Sequence, residues 1–188
     1  MNDSFCSIAK KAFFFLNENY GFMIKMAEND SIVYESPTII LSMFHDRQRS
    51  YEISLGLRRK NNPLPSFSFE EIIRSQNVPE ILWPSGYSAR TLNQTDRLVE
   101  RFSEIISSYG IPLIEGDERA WRKISDQRDK DCVSYAAANE LRTAKQAANL
   151  AWSNKDYEKV VKAYEIVRDL LNKSDTAKLN YSKKKLSK

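Results

Sequence analysis

The sequence predicts an α+β fold: a four-stranded antiparallel meander with helices packed mainly on one face, followed by an α-helical hairpin. Three observations carry this reading. Four short runs between Gly21 and Arg58 alternate apolar and polar residues with the period of a half-buried strand, separated by turn-forming residues. An apolar stripe at helical spacing precedes them, and helical spacing dominates from Phe69 onward. A helix and a sheet that are each apolar on one side must cover one another.

In the first segment Phe5, Ile8, Ala9, Ala12, Phe13 and Leu16 line one side of a helix. Asp3 or Ser4 supplies its cap, and Gly21 ends it in a left-handed conformation that other residues avoid. Phe22, Ile24 and Met26 then alternate with Met23 and Lys25, and after the turn Ala27 to Asp30 the chain returns with Ile32 and Tyr34 on one face. Ser36-Pro37 breaks the ladder, because proline has no backbone donor. Thr38 to Phe44, the most apolar run, is the central strand, and His45 to Arg49 is a charged turn. Tyr51, Ile53, Leu55 and Leu57 form the apolar side of the fourth strand, with Glu52, Ser54, Gly56 and Arg58 on its wet side.

Arg58 to Pro65, polar and punctuated by Pro63 and Pro65, leads out of the sheet, and Ser66 or Ser68 caps a short helix carrying Phe69, Ile72 and Ile73. Gln76 to Leu92 is an ordered surface loop anchored by Trp83 or Tyr87. Leu92 to Tyr109 is helical through Leu98, Val99, Phe102, Ile105 and Ile106, and Asp117 caps a further helix that turns Ala120, Trp121 and Ile124 inward. The polar run Ser125 to Asp131 marks a soft boundary, giving an α+β domain over 1–130 and a helical hairpin with a basic third helix over 131–188. There, small residues from Ala136 to Ala151 let a second helix approach closely. Helices follow through Tyr157, Val160, Val161, Tyr164 and Val167, and from near Ser174 through Leu179 and Tyr181.

Ala147, Ala151, Trp152, Asp156-Tyr157, Val160 and Tyr164 stand at spacings that resemble the middle of a tetratricopeptide repeat. There is no second copy, so the resemblance implies a packed helix pair and no multi-repeat peptide groove. In the body, Tyr20-Gly21-Phe22, Tyr34-Glu35-Ser36, Tyr51-Glu52-Ile53, Tyr109-Gly110, Leu113-Ile114, Gly116-Asp117 and Trp121 occur in an order similar to small bacterial proteins of immunity type. That resemblance implies a non-catalytic protein that binds a cognate toxin or effector.

With 41% hydrophobic and 11% aromatic residues the chain can bury a true core and is not of the disordered class. Its net charge of +4 is uneven, since from Asn172 onward six lysines face Asp175 alone, for +5, while the first 171 residues hold −1. A near-neutral body with a lysine-rich helix end is a weaker nucleic-acid signal than a basic stripe across a folded face. Cys6 and Cys132 are far apart and outside any C-x-x-C pair, so both read as inert buried thiols of a reduced, cytoplasmic protein. The apolar run Ala12 to Leu16 is too short for a signal peptide or a membrane span.

Chemistry is sparse. His45 is the only histidine, which removes two-histidine metal sites and leaves one place, beside Asp46 and Glu52, for acid/base work. The five glycines are scattered and form no phosphate loop, no carboxylates stand at metal-ligand spacing, and Asp117-Glu118 suits a helix start. No catalytic residue, metal or cofactor is therefore assigned. The reading is a non-enzymatic binding or adaptor protein, in a bacterial immunity or defence setting, with a protein partner. Its binding residues are Arg47, Arg49, Glu52, Arg58 and Arg59 on the wet face and end of the sheet, with Trp83 or Tyr87 as apolar anchor. A nucleic-acid-binding accessory using the same arginines and the lysine end is the alternative, and homo-oligomerisation stays open.

Overall fold

A computed structural model of the chain describes residues 4–62 and 64–187. Asp3, Pro63 and Lys188, which enter the readings above, lie outside them. The chain divides into two compact units, Met1–Arg128 and Asp129–Lys188.

Ser4 Oγ accepts from the Ser7 N–H at 3.3 Å and so starts α1, Phe5–Ala12. The single N-terminal helix expected from the stripe is two, because Phe13 (φ −97°, ψ 18°) separates α1 from α2, Phe14–Tyr20. Around this kink the Phe13 N–H still reaches Ala9 O, whereas the Leu16 N–H turns to Phe13 O in the tighter three-residue pattern. Gly21, at φ 65°, closes α2 in the left-handed conformation.

The sheet is antiparallel throughout, in the order β1, Met23–Glu28; β2, Ser31–Glu35; β3, Ile39–His45; β4, Ile53–Arg59; β5, Phe67–Ser68. It thus holds one short strand more than the meander predicted from sequence. β3 is central, as its apolar run demands. β1 departs from expectation: Phe22 just before it is buried, but all six of its residues are exposed, and a register shift between Ile24 and Met26 breaks the alternation. Tyr51, expected within the fourth strand, lies before it in a left-handed conformation (φ 58°).

One face of the sheet is core. Ile32 pairs with Met43 and Met43 with Leu55, while Tyr34 pairs with Leu41 and Leu41 with Leu57, so the alternation stacks these rows on one side, and all are buried. α1, α3 (Phe69–Ser75) and α4 (Leu92–Tyr109) cover them. The Tyr34 hydroxyl donates to Ala9 O at 2.9 Å and the Ser103 hydroxyl to Ala12 O at 2.5 Å, fixing α1 between sheet and α4. Phe69 packs on Phe102 with ring centroids 4.2 Å apart. Truncating a buried phenylalanine of this kind to alanine costs about 3–5 kcal/mol.

Ser68, not Ser66, caps α3 through a full capping box with Glu71, and Thr91 does the same for α4 with Gln94. The loop between them contains a 3-10 turn, Glu80–Leu82. After the short α5, Ile111–Ile114, Asp117 Oδ1 accepts from the Ala120 N–H at 2.8 Å at the start of α6, Glu118–Ser153.

The polar run Ser125 to Asp131 does not break the chain: α6 is continuous through it. None of these residues is glycine or proline, and Asp126 and Lys130 stand four apart with the acid first, a spacing that supports a helix with little apolar content. In the second unit α7, Tyr157–Glu165, is capped by Asp156 and is shorter than its apolar pattern implied, giving way to a 3-10 turn at Arg168–Leu170. Asn172 caps α8, Lys173–Leu186. Ala144, Ala148, Ala151, Val160, Tyr164, Val167 and Leu179 form a separate core. Within it Asp175 accepts from the Tyr164 hydroxyl at 3.0 Å and pairs with Lys145 at 2.9 Å.

Candidate functional site

The other face of the sheet is open. The same pairing that stacks the core stacks three outward rows: Glu28, Ser31, Phe44 and Ser54; Met26, Val33, Ser42, Gly56 and Ser68; and Met23, Glu35, Ile40 and Arg58. The middle row and its flanks form a trough of about 330 Å³, floored by Ser31, Ser42, Ser54 and Gly56 and edged by Met26 and Phe44. Gly56 has a physical reason to be glycine, because a Cβ there would stand 3.1 Å from Ser66 Cβ and 3.2 Å from Ser42 Oγ. Phe44, on the central strand β3, is 50% exposed, and Met26, on the edge strand β1, is 37% exposed. Charge is confined to the ends, with Glu28 at one, and Arg58 and a Glu35–Lys60 ion pair at the other. The hydrogen bond from Lys60 holds the Glu35 carboxyl below the usual glutamate range.

One wall of the trough is locked in place by Arg128. Its Nε donates to Glu71 Oε1 at 2.5 Å and its Nη2 to Glu71 Oε2 at 2.9 Å, while Nη1 and Nη2 donate to the Pro65 and Ser66 carbonyls. The guanidinium also lies 3.8 Å from the Phe67 ring centroid. Burial opposes the Glu71 charge, but hydrogen bonds from Arg128 and Ser68 outweigh it and hold the pKa below the ordinary range.

The residues named from sequence occupy several places. Arg47, Arg49 and Glu52 lie in the β3–β4 turn, whereas Arg58 and Arg59 end β4 about 20 Å away along the strand. Arg47 is exposed and 3.5 Å from Asp30. The Arg49 N–H is taken by Asp46, and Glu52 forms an isolated bridge with Ser88. Arg58 shares the outer face with Glu35. Arg59 is occupied internally: it pairs with Glu118 at 2.8 Å, donates to Gly116 O at 3.3 Å and lies 5.1 Å over the Trp121 ring. Trp83 and Tyr87 are both half-buried on the core, with Trp83 Nε1 donating to Val78 O at 2.9 Å. Tyr87 and Glu52 do meet, lining a cleft of about 150 Å³ with Glu70.

The acid/base cluster is not assembled. His45 is buried as the last residue of β3, packs against Phe5 and has Nε2 at 2.9 Å from Ala89 O. The Asp46 carboxylate instead takes the Arg49 and Ser50 N–H groups and the Ser50 hydroxyl. Cys6 is buried and donates to Glu28 O and Ser31 O, and burial pushes its thiol up, away from thiolate chemistry. Cys132, read from sequence as buried, is exposed. Among the described residues no three metal-ligating side chains cluster, and no helix is long and apolar enough to cross a membrane. The lysine-rich end is partly engaged, with Lys183 paired to Glu165, Lys178 donating to Asn149 Oδ1 and Lys185 over Tyr181.

The trough residues Met26, Ser42, Phe44 and Ser54 went unselected in the sequence reading, although alternation already placed Ser54 and Gly56 on a wet side. Their signal is the absence of charge from that side, which only the strand pairing makes visible as one strip. No protein-family model, curated protein or solved structure matches the chain.

Proposed function

We propose that this protein is a non-enzymatic binding or adaptor protein whose first unit holds a protein partner on the open face of its sheet. The observation that supports this most is the uncharged strip of Met26, Val33, Ser42, Phe44 and Ser54, apolar at its edges and lined with hydroxyls, between charged ends. Aromatic and methionine side chains are enriched where proteins meet, and charges are depleted from the middle of such patches. The charged ends then set orientation, and Arg58 is the sequence-selected arginine that lies on this face. The more specific form, a bacterial immunity or defence protein that holds a cognate toxin in the cytoplasm, rests on the sequence resemblance and on two cysteines that form no disulfide.

The test is a native pull-down from host lysate with nuclease treatment, run beside Phe44→Glu and Ser42→Arg variants whose far-ultraviolet circular dichroism matches the parent. A protein retained after nuclease and lost with both variants supports the reading. Retention by both variants moves the binding surface elsewhere. Recovery that depends on nucleic acid replaces the reading with the nucleic-acid alternative.

A further inference from the structure

The loop between α3 and α4 lies against the first half of α4 and leaves a recess of about 470 Å³ that shares no residue with the sheet trough. Trp83, Pro84 and Leu98 are its apolar part, and the Trp83 ring is held by the bond from Nε1 to Val78 O at 2.9 Å. The rest of the lining is polar, and its only charges are positive. Arg97 and Arg101, four residues apart on α4, stand one turn from each other on the same side. No acid lines the recess.

Its donors are largely unspent. Arg97 is exposed and has no ion pair among the described residues. Arg101 gives Nη1 to Glu104 Oε2 at 2.9 Å and keeps Nε and Nη2. Gln94 turns Oε1 back to the Arg90 and Thr91 N–H groups in the α4 cap, which leaves its amide nitrogen to donate. The Ser85 and Gly86 N–H groups have no acceptor among the described residues, whereas the Ser88 hydroxyl is taken by Ser50 O.

Three acids stand elsewhere on α4. Asp96 lines a separate recess with Ser7 and Lys11. By the helix period, Glu100 lies about 110° and Glu104 about 70° round from the centre of the lining residues. Of the three, Glu104 alone engages a recess arginine, and through a single nitrogen. Two guanidiniums one turn apart repel, and an anion lodged on both removes that repulsion.

We infer that this recess binds a small phosphate monoester carrying a flat ring, its phosphate on the Arg97 and Arg101 guanidiniums and its ring against Trp83. A guanidinium fork matches paired phosphate oxygens, and two such charges suit a dianion better than a single carboxylate. Backbone and amide N–H groups supply further donors, and the indole beside Pro84 favours a planar ring. The volume is that of an ordinary small-ligand site with a few convergent polar groups. The recess and the sheet trough have separate residues, so this inference and the partner surface proposed above fail separately.

The probes are adenosine monophosphate and phenyl phosphate, titrated into the isotope-labelled full chain beside inorganic phosphate and adenosine. The readout is the indole N–H signals in the nuclear magnetic resonance spectrum, that of Trp83 being assigned by its loss in Trp83→Phe. A saturable shift of the Trp83 signal with at least one ester is expected, about fivefold tighter than with inorganic phosphate or adenosine, while Trp121 and Trp152 stay in place and report the fold. The tighter ester tells a nucleotide source from an aryl phosphate. Arg97→Gln, at an exposed position, is expected to weaken binding about tenfold, Arg97→Lys to recover part of that loss, and Glu104→Gln to strengthen binding about twofold. No saturable shift of Trp83, equal affinity for the esters and for inorganic phosphate or adenosine, or indifference to Arg97→Gln overturns the inference. A phosphotyrosine peptide or an oligothymidylate that binds more than about tenfold tighter than both esters also overturns it, because the occupant is then a macromolecule.

Discussion

Arg128 grips Glu71 with two parallel hydrogen bonds, Nε to Oε1 at 2.5 Å and Nη2 to Oε2 at 2.9 Å, while the same guanidinium holds the carbonyls of Pro65 and Ser66. Sequence distance makes the relationship informative, because α6 here fixes the segment that forms β5 and one wall of the trough.

Breaking this grip is expected to destabilise the first unit. Glu71→Gln leaves a partly buried guanidinium without its counter-charge, and a loss of about 2 kcal/mol is expected by urea unfolding. The pH dependence has a definite sign. The folded-state pKa of Glu71 lies below its unfolded value, so its contribution is present above about pH 4.3 and is lost as the pH falls through the folded value. The parent should therefore lose more stability than Glu71→Gln below that pH, and parallel acid profiles for the two proteins contradict the assignment.

The second unit should respond at the opposite end of the scale. Burial and the hydrogen bond to Asp175 push the Tyr164 hydroxyl up to about 12. A group raised in the folded state stabilises fully below its unfolded pKa of about 10 and loses that contribution as the pH rises through the folded value. Tyr164→Phe is expected to cost about 1 kcal/mol at neutral pH and to flatten the alkaline loss of stability between about pH 10 and 12, measured by the near-ultraviolet signal of the Trp152, Tyr157 and Tyr181 cluster.

The two groups of arginines selected from sequence should separate cleanly. Arg59→Ala removes a ring contact with Trp121 and a bond to Gly116 O, and a stability loss of about 1 kcal/mol is expected. Arg47→Ala, at an exposed ion pair, should change stability by less than about 0.5 kcal/mol. Equal thermal midpoints for the two variants would contradict the internal role of Arg59.

Gly21 offers a backbone test. Alanine there must adopt φ 65°, at a cost of about 1–2 kcal/mol, although nothing lies within 4 Å of the added methyl group. Gly86 is equally uncrowded and has no such dihedral, so Gly86→Ala is the control and should leave the thermal midpoint near that of the parent.

Much of the architecture was legible because it follows from short-range chemistry. The left-handed end at Gly21, the central position of Thr38 to Phe44 and the inward set Ala120, Trp121 and Ile124 each follow from a local pattern. The misses have the reverse cause. The bulge between Ile24 and Met26 and the kink at Phe13 are set by pairing and packing that no local window contains. The helix that runs through Ser125 to Asp131, the run read as a soft boundary, carries no signal of its own because it spends its residues there on charge and not on an apolar stripe. For the candidate site, arginines drew attention as binding residues, yet Arg59 is used to hold the fold. The uncharged strip is built from serines that carry no individual signal and from Phe44 and Met26, which look like core until register turns them outward.

β1 carries one more consequence. Its six exposed residues end the sheet with a row of backbone donors and acceptors facing away from β2, on a stretch that reads Met-Ile-Lys-Met. Such an edge invites templated growth by any extended chain, including a misfolded copy. The shift at Ile24 to Met26 interrupts the even spacing that a growing fibril needs, and Lys25 places a charge where successive copies would stack. The irregularity that breaks the sequence pattern in this strand thus also makes its edge a poorer template for an added strand.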